Sequence, residues 1–296
     1  MSKTATVKKE KFVSAKARKR KELWQRFAKN KLALLGLAIL SLFLIAIVFG
    51  NLIAAPEKVS FQDYSALKQR PSAQHWFGTD HLGRDIFARV IHGTKYSMGI
   101  ALAVNAASTL LGMFIGTIAA YYRGKVDIIL MRIMDVLTSI PALLLNMSVV
   151  AAMGTSTFSL FFAMTLTGIP GKARMTRTSL LNVVDSEFVE ACHACGTSTF
   201  RILTKHLIPN ALNPIIVSTT MGVASSILSC ATLSFIGLGF QEPTPEWGAM
   251  LAQAREYFRT DMYLMVAPGI AVILASLSIN LIGDGLRDAL DPRLRD

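Results

Sequence analysis

The run Leu32-Ala-Leu-Leu-Gly-Leu-Ala-Ile-Leu-Ser-Leu-Phe-Leu-Ile-Ala-Ile-Val-Phe-Gly-Asn-Leu-Ile-Ala-Ala55 decides the class of fold, because it contains no charged residue. A helix needs about 20 consecutive apolar residues to cross the hydrocarbon core of a bilayer. Within lipid, an isolated segment can satisfy its backbone hydrogen bonds internally only as a helix. The run therefore predicts a membrane-spanning helix over 32–55, which Pro56 and Glu57 end.

The rest of the chain also has the composition of a membrane protein. Hydrophobic residues make up 52% of the 296 residues and charged residues 17%, and the mean hydropathy is +0.44. Residues 1–31 contain twelve Lys and Arg against only Glu10 and Glu22. Such a cluster directly before an apolar run marks the cytoplasmic end of a helix. We therefore attribute the net charge of +12 to topology and lipid headgroups rather than to nucleic-acid binding.

Five further runs predict membrane spans after the first one. They cover about 97–122, 128–153, 157–170, 211–240 and 262–282. With the amino terminus inside, segment 171–208 is cytoplasmic and holds five Lys or Arg, whereas segment 241–261 is outside and holds two against four acids. This balance agrees with the positive-inside rule. The sequence therefore predicts an all-α polytopic membrane protein with six transmembrane helices and both termini in the cytoplasm.

This topology divides the chain into four parts. They are a basic cytoplasmic segment 1–31, the first transmembrane helix 32–55, an extracytoplasmic loop 56–96, and a core 97–296 that holds the other five helices and a cytoplasmic loop 171–208. The extracytoplasmic loop ends in the amphipathic stretch 85–91, which we expect to lie as a helix in the membrane interface. The second span carries Gly112 and Gly116, a pair of small residues at the spacing that lets helices approach closely.

The polar stretch Glu187-Phe-Val-Glu-Ala-Cys-His-Ala-Cys-Gly196 lies in the predicted cytoplasmic loop. Asp185 or Ser186 can cap a helix there, and Glu187 in its first turn suits the helix dipole. Gly196 can take the left-handed conformation that ends a helix. The sequence thus predicts a short helix, a glycine break and a second helix, which ends at Pro209 on entering the fifth span.

Four side chains of the first short helix share one face at helical spacing: Phe188, Ala191, Cys192 and Cys195. A short helix outside the bilayer cannot bury such a face in lipid, so it needs a groove in a protein. One candidate for that groove is a partner subunit. The alternative is that the helix packs under the ends of neighbouring helices of its own chain.

The loop resembles the segment by which permeases of ABC importers dock on their ATPases. That motif reads Glu-Ala-Ala, three residues, Gly, nine residues, and Ile-x-Leu-Pro. Glu190, Ala191, Gly196 and Pro209 match it, and Cys192 stands at the second Ala. The resemblance, together with the helix reading, implies a set of docking residues: Glu187, Phe188, Glu190, Ala191, Cys192, Gly196 and Pro209.

Other motifs resemble the second permease subunit of dipeptide, oligopeptide and nickel ABC importers, from about residue 22 to the end of the chain. Its extracytoplasmic signature is matched by Phe77, Gly78, Thr79, Asp80, Gly83, Arg84 and Asp85. Later matches are Leu233-Ser-Phe-Ile-Gly-Leu-Gly239, Pro243-Thr-Pro-Glu-Trp-Gly248 and Gly283-Asp-Gly-Leu-Arg-Asp-Ala-Leu-Asp-Pro292. The chain departs from the family at Ile169, where Trp is usual, and at Cys230, where Glu is usual.

The resemblance implies the type I permease fold of ABC importers, in a bacterial or archaeal inner membrane, with no catalysis by this chain. It implies a homologous permease, two cytoplasmic ATPase subunits and an extracytoplasmic substrate-binding protein as partners. ATP and Mg would be bound by the ATPases, and this chain would hold no cofactor or metal. Peptide is the expected cargo, while nickel or another small ligand stays open.

Other functions find less support in the residues. Residues 78–85 have the glycine spacing of a phosphate loop, but Arg84 and Asp85 replace the residues that hold phosphate and magnesium. Cys192 and Cys195 form a single CxxC, which is half of a zinc or redox site.

A secondary transporter working alone usually has charges or broken helices at mid-membrane. A membrane-embedded enzyme would cluster His, Asp or Glu at one depth, whereas the predicted spans contain only Asp135 near an end.

Overall fold

The computed structural model describes residues 15–290, which are mostly helical. The helices are α1 Ala15–Lys29, α2 Lys31–Ile53, α3 Glu57–Ser60, α4 Ile86–Tyr122, α5 Gly124–Ser139, α6 Ala142–Met153, α7 Thr157–Val184, α8 Glu187–Ala194, α9 Thr199–Arg201, α10 Ile208–Phe235, α11 Trp247–Ala254 and α12 Tyr263–Leu290. A π-helical turn, Ile202–Leu207, joins α9 to α10, and a 3-10 turn, Arg255–Tyr257, follows α11. Residues 1–14 of the predicted basic segment and 291–296 of the predicted core lie outside the described residues.

Four helical stretches of the described chain are long and apolar enough to cross a membrane: α2, α4, Thr199–Phe235 and α12. The pair α5 and α6 adds a fifth only if its two halves, bent by 86°, count as one span. α7 has 28 residues, but Lys172, Arg174 and Arg177 lower its hydropathy and it is not among these stretches. The all-helical architecture agrees with the sequence analysis, whereas the number of six spans stays a prediction.

The predicted third span, 128–153, is not one straight helix. α5 ends at Ser139, and Ile140 is extended at φ −97° and ψ 128° before α6 begins after Pro141. A residue that precedes proline is driven away from the helical region by the proline ring, and proline also removes a helix hydrogen bond. The break at Pro141 therefore follows from local sterics that hydropathy does not register.

The predicted fourth span is longer than expected, because Pro170 lies inside α7 and does not end it. Gly112 and Gly116 of α4 face this part of α7, and a Cβ at Gly112 would lie only 2.5 Å from the Cβ of Lys172. A Cβ at Gly116 would collide with the carbonyl oxygen of Ala173. The two glycines thus allow α4 and α7 to pack with their backbones close together, and this packing accommodates the proline.

Residues 85–91 do not form a separate interfacial helix, which corrects the prediction for the extracytoplasmic loop. Asp85 caps α4, since its Oδ1 accepts a hydrogen bond from the Ala88 N–H at 2.8 Å. Ile86 and Val90 are buried in a cluster with Trp247. The apolar side of this stretch therefore packs on protein instead of lipid, and the second span's helix begins at Ile86 rather than near residue 97.

The long helix α4 defines two ends of the molecule. At its start, loop 56–85 and loop 236–262 lie together; we call this the signature end. At its last turns, Ala120 and Tyr121 pack against the region of α8 and the π-helical turn; we call this the α8 end. α2, α7, α10 and α12 pack along the bundle between the two ends.

Candidate functional site

Two turns, one before α8 and one after it, set the shape of the loop at the α8 end. The Ser186 carbonyl accepts a hydrogen bond from the Val189 N–H at 2.8 Å as α8 begins. After α8, Gly196 takes φ +67°, and the Thr197 N–H donates to the Cys192 carbonyl at 3.0 Å. This is a Schellman-type helix end, in which a left-handed residue allows the chain to turn back over the last turn.

The inward side of α8 anchors it to the rest of the chain. Val189 is 2% exposed and lies in a cluster with Leu180 and Ile202, against which Cys192 is also packed. Full burial of a valine side chain contributes roughly 1.5–3 kcal/mol. Cys192 lies half-buried against this chain's own core, so its contact with a partner's groove stays a prediction. The sequence analysis missed Val189. Val189 lies three residues before Cys192, and this helical spacing could have placed both residues on one apolar face.

The outward side of α8 is an apolar strip with two carboxylates beside it. Phe188 is 39% exposed, and Ala191 and Cys195 are exposed on the same face. Phe200 of α9 is 75% exposed. For the role that is proposed below, we call these four residues and the exposed carboxylates the docking surface: Glu187, Phe188, Glu190, Ala191, Cys195 and Phe200.

Pro209 does not end the second short helix, contrary to the prediction. The π-helical turn widens the helix, so that the Ile208 N–H bonds to the Leu203 carbonyl, five residues back. Pro209 has no N–H to offer, and a π-helical turn is one way in which a helix accommodates an irregularity of this kind. As a result, one continuous helix of 37 residues runs from Thr199 to Phe235 and connects the loop at the α8 end to the far side of the bundle.

Three arginine–aspartate pairs link α5 and Arg123, which follows α4, to α7 and Asp185, which follows α7. They are Arg177 with Asp127 at 2.5 Å, Arg174 with Asp135 at 2.8 Å, and Arg123 with Asp185 at 2.7 Å. Asp135 is also 3.9 Å from Arg132, so it serves as an ion-pair partner of two arginines. Arg174 and Arg177, which project from α7 toward α5, are thus neutralised by aspartates of α5.

At the signature end, Asp80 and Arg84 organise the loop. One Asp80 oxygen accepts hydrogen bonds from the N–H groups of Leu82 and Arg84, both at 2.9 Å. The other oxygen accepts from Arg84 Nε at 2.6 Å. Arg84 is 1% exposed, and its Nη2 reaches Glu242 at 2.9 Å. Arg84 therefore joins the signature to loop 236–262, and it is not free to hold a phosphate.

The other signature residues close the same loop. Gly78 and Gly83 have φ of +78° and +77°, and a Cβ at either would collide with a backbone carbonyl oxygen. The Thr79 hydroxyl donates to the Ala66 carbonyl. Asp85 Oδ2 lies 2.7 Å from His75 Nδ1. Phe77 packs edge-on against Phe87. The signature thus acts as a structural element of this end.

A cavity of about 1030 Å³ opens between α7, α10 and α12. Its lining includes Lys172 of α7, Gly222 of α10 and Arg287 of α12, and three asparagines, Asn182, Asn210 and Asn213. Several serine, threonine and methionine side chains complete it. The sequence analysis left the residues of a translocation pathway unassigned, because a polar face within a span shows only when its neighbouring helices are placed.

Comparison with known proteins places the chain among transporters. Residues 109–296 match the family described as binding-protein-dependent transport system inner membrane component, and residues 20–71 match the N-terminal transmembrane domain of oligopeptide transport permease C. A solved chain of the MetNI methionine ABC transporter, in an inward-facing conformation, superposes with a TM-score of 0.55 and 20% identity over 67% of this chain and 94% of that chain. This similarity shows that the fold is shared.

Two relatives match nearly the whole chain. The dipeptide transport system permease protein DppC of Alkalihalophilus pseudofirmus is 37% identical over 275 residues, which are 93% of this chain and 90% of the relative. The glutathione transport system permease protein GsiD of Escherichia coli is 40% identical over 278 residues, with the same two shares. The chain therefore belongs to the family of binding-protein-dependent transport system inner membrane components, the permease subunits of ABC importers.

Proposed function

We propose that this chain forms half of the translocation pathway of an ATP-driven importer of small peptides. The observation that carries the proposal is the docking surface, an exposed apolar strip on a helix that the buried Val189 fixes to the bundle and that ends in a glycine turn at Gly196. An exposed strip of this kind at a helix is typical of a surface that enters a groove of another protein. Peptide is proposed as cargo because relatives that match nearly the whole length are named for dipeptide and glutathione transport.

In this proposal the α8 end faces the cytoplasm and the signature end faces outward, with both termini in the cytoplasm. Residues 1–31, which lead into α2, hold twelve Lys or Arg, and positive residues beside a span are enriched on the cytoplasmic side. Asn30, which caps α2, donates a hydrogen bond to Asp288 near the end of α12, so the start of α2 lies at the α8 end. Two ATPase subunits bind ATP and Mg at the α8 end. A second, homologous permease completes the pathway, and a binding protein delivers solute at the signature end.

The continuous helix Thr199–Phe235 provides the mechanical link. Phe200 lies on the docking surface at its first turn, and Ser218 and Gly222 lie on the cavity farther along. Closure of the ATPases on ATP displaces the docking surface, and a helix without a break transmits that displacement to the cavity wall. The cavity then changes between inward- and outward-facing states by a rigid-body motion of packed helices.

The test is purification of the tagged chain from its native membranes in mild detergent, with mass spectrometry of the proteins that accompany it. We expect a second permease and ATPases with Walker motifs. Glu190→Lys reverses a charge on the docking surface, so the ATPases should be lost while the second permease stays. Glu57→Lys is the matched control, because Glu57 is exposed at the other end of the bundle. A chain that purifies alone and transports in liposomes would contradict the proposal.

A further inference from the structure

Of the three cations in the second half of α7, Lys172 differs from the others. Arg174 and Arg177 turn toward α5 and pair with Asp135 and Asp127. Lys172 instead lines the cavity, and its Nζ donates to the Ser218 carbonyl at 2.7 Å. An ammonium group carries three donors, so this bond leaves two for another partner.

The charge of the cavity wall has one sign. Among the described residues that line it, Lys172 and Arg287 are cationic and none is Asp or Glu. The remaining polar lining consists of neutral amides and hydroxyls. In a cleft with low-dielectric walls, unneutralised charge of one sign attracts counter-ions strongly, so the cavity favours an anionic group and disfavours a bare cation.

The two cations lie at different depths. Ten residues of α7 separate Lys172 from Asn182, and twelve of α10 separate Gly222 from Asn210, so the cavity extends about 15–18 Å along these helices at 1.5 Å per residue. Arg287 lies near the end of α12, at the α8 end. Gly222 leaves room for the Lys172 ammonium against α10, since a Cβ there would lie 2.6 Å from its Nζ.

We infer that Lys172 is a specificity-determining residue of the pathway, which pairs transiently with a carboxylate of the transported solute. This inference rests on the proposed function and adds a substrate class, an anionic solute such as a peptide with a free carboxyl terminus. It places uncomplexed divalent metal cations outside that class. Lys172 acts on the moving solute, whereas Arg287 meets it at the mouth of the cavity.

The test uses the assembled transporter with its binding protein in liposomes, and compares uptake of alanyl-alanine with that of its carboxyl-terminal amide. Because the binding protein is the same throughout, a change in the uptake ratio reports on the permease. We expect Lys172→Met to lower uptake of the acid about tenfold, the magnitude of one charge-assisted hydrogen bond, and to leave the amide within about twofold. Lys172→Arg should keep the wild-type ratio. Lys125→Met, which removes an exposed lysine outside the cavity, should change neither.

A second measurement needs no knowledge of the solute. A cysteine at Ser225, in the cavity lining, is placed in a chain without its three native cysteines and treated with an anionic and a cationic methanethiosulfonate of similar size. The anionic reagent should react faster, and Lys172→Met should reduce that preference about tenfold, whereas Lys172→Arg should not. Equal preference in wild type and Lys172→Met, or an unchanged uptake ratio, would overturn the inference. A wild type that takes up neither peptide, or a wild-type complex without ATPases, would instead overturn the proposed function.

Discussion

Gly196 carries the turn between α8 and the helix that leads into the bundle. Its φ of +67° lies in the left-handed region, which costs an ordinary L-residue roughly 1–2 kcal/mol. A Cβ at this position would meet nothing within 4 Å. The requirement for glycine is therefore conformational and does not come from crowding, which allows it to be tested without disturbing the packing of the bundle.

Gly196→Val should uncouple transport while the chain still inserts and assembles in the membrane. Valine is β-branched and avoids the left-handed region, so the end of α8 rearranges and the docking surface is misplaced. We expect uptake in membrane vesicles to fall about five- to thirtyfold, the effect of roughly 1–2 kcal/mol of backbone strain, with an unchanged amount of permease by immunoblot.

Gly196→Asn is the matched variant, because asparagine tolerates the left-handed conformation. It should transport at close to the wild-type rate. Normal uptake by Gly196→Val would show that the conformation of this turn is not needed for coupling, and equal losses in both variants would point to the glycine's lack of a side chain instead.

The two apolar sides of α8 show which feature of a helix its sequence alone does not predict. Periodicity predicted Phe188, Ala191, Cys192 and Cys195 as one face. All but Cys192 are exposed on the outside. Periodicity does not predict which of two adjacent apolar faces packs against the rest of the protein. Val189 and Cys192 face inward because the cluster around Ile202 receives them, and that cluster exists only in the folded chain.

At the scale of helices, the contact between α4 and α7 depends on glycine. A Cβ at Gly116 would collide with α7, including the Thr176 Cβ at 2.8 Å. Gly116→Ala should therefore destabilise the protein by about 1–3 kcal/mol through overpacking, measured as a lower unfolding midpoint of the purified complex in detergent.

Gly99→Ala provides the comparison within the same helix. A Cβ at Gly99 meets nothing within 4 Å, and replacing a helical glycine by alanine stabilises a helix by up to about 1 kcal/mol. Its unfolding midpoint should be equal to or above that of the wild type. A Gly116→Ala variant as stable as Gly99→Ala would mean that α4 and α7 do not approach as closely as described.

Three prolines of this chain show why helix ends were harder to predict than helices. Pro141 separates α5 from α6, Pro170 lies inside α7, and Pro209 follows a π-helical turn in a continuous helix. The local chemistry of the three is the same, since each lacks an N–H. Neighbouring helices determine whether the freed backbone groups can be accommodated, and this information is absent from the segment itself.

At the scale of the whole molecule, motif order identified the family correctly, whereas hydropathy did not settle the number of spans. α7 fails as an apolar stretch because of its cations, yet Arg174 and Arg177 are paired with aspartates of α5. A hydropathy sum counts these charges in full and does not register their pairing. The cavity could not be predicted from the sequence either, since it is formed by faces of three helices that are far apart in the chain.

The signature end and the α8 end of the molecule differ in structure. The signature end is braced by the buried Arg84, which links the loops through Asp80 and Glu242. The α8 end instead presents an exposed strip on a loop attached to a 37-residue helix. A signature end braced by buried ion pairs and an exposed docking surface at the α8 end suit the proposed subunit, which receives motion from partners and passes it to a pathway between them.

The central claim, that an ATPase binds the outward face of α8, is tested most directly by photo-crosslinking in native membranes. A benzophenone amino acid replaces Phe188 on the docking surface, and in a matched variant it replaces Phe61, which is an exposed aromatic residue at the signature end. After irradiation, we predict an adduct with a Walker-containing ATPase from position 188 and none from position 61. Absence of an ATPase adduct at position 188, or an equal one at position 61, would contradict the account.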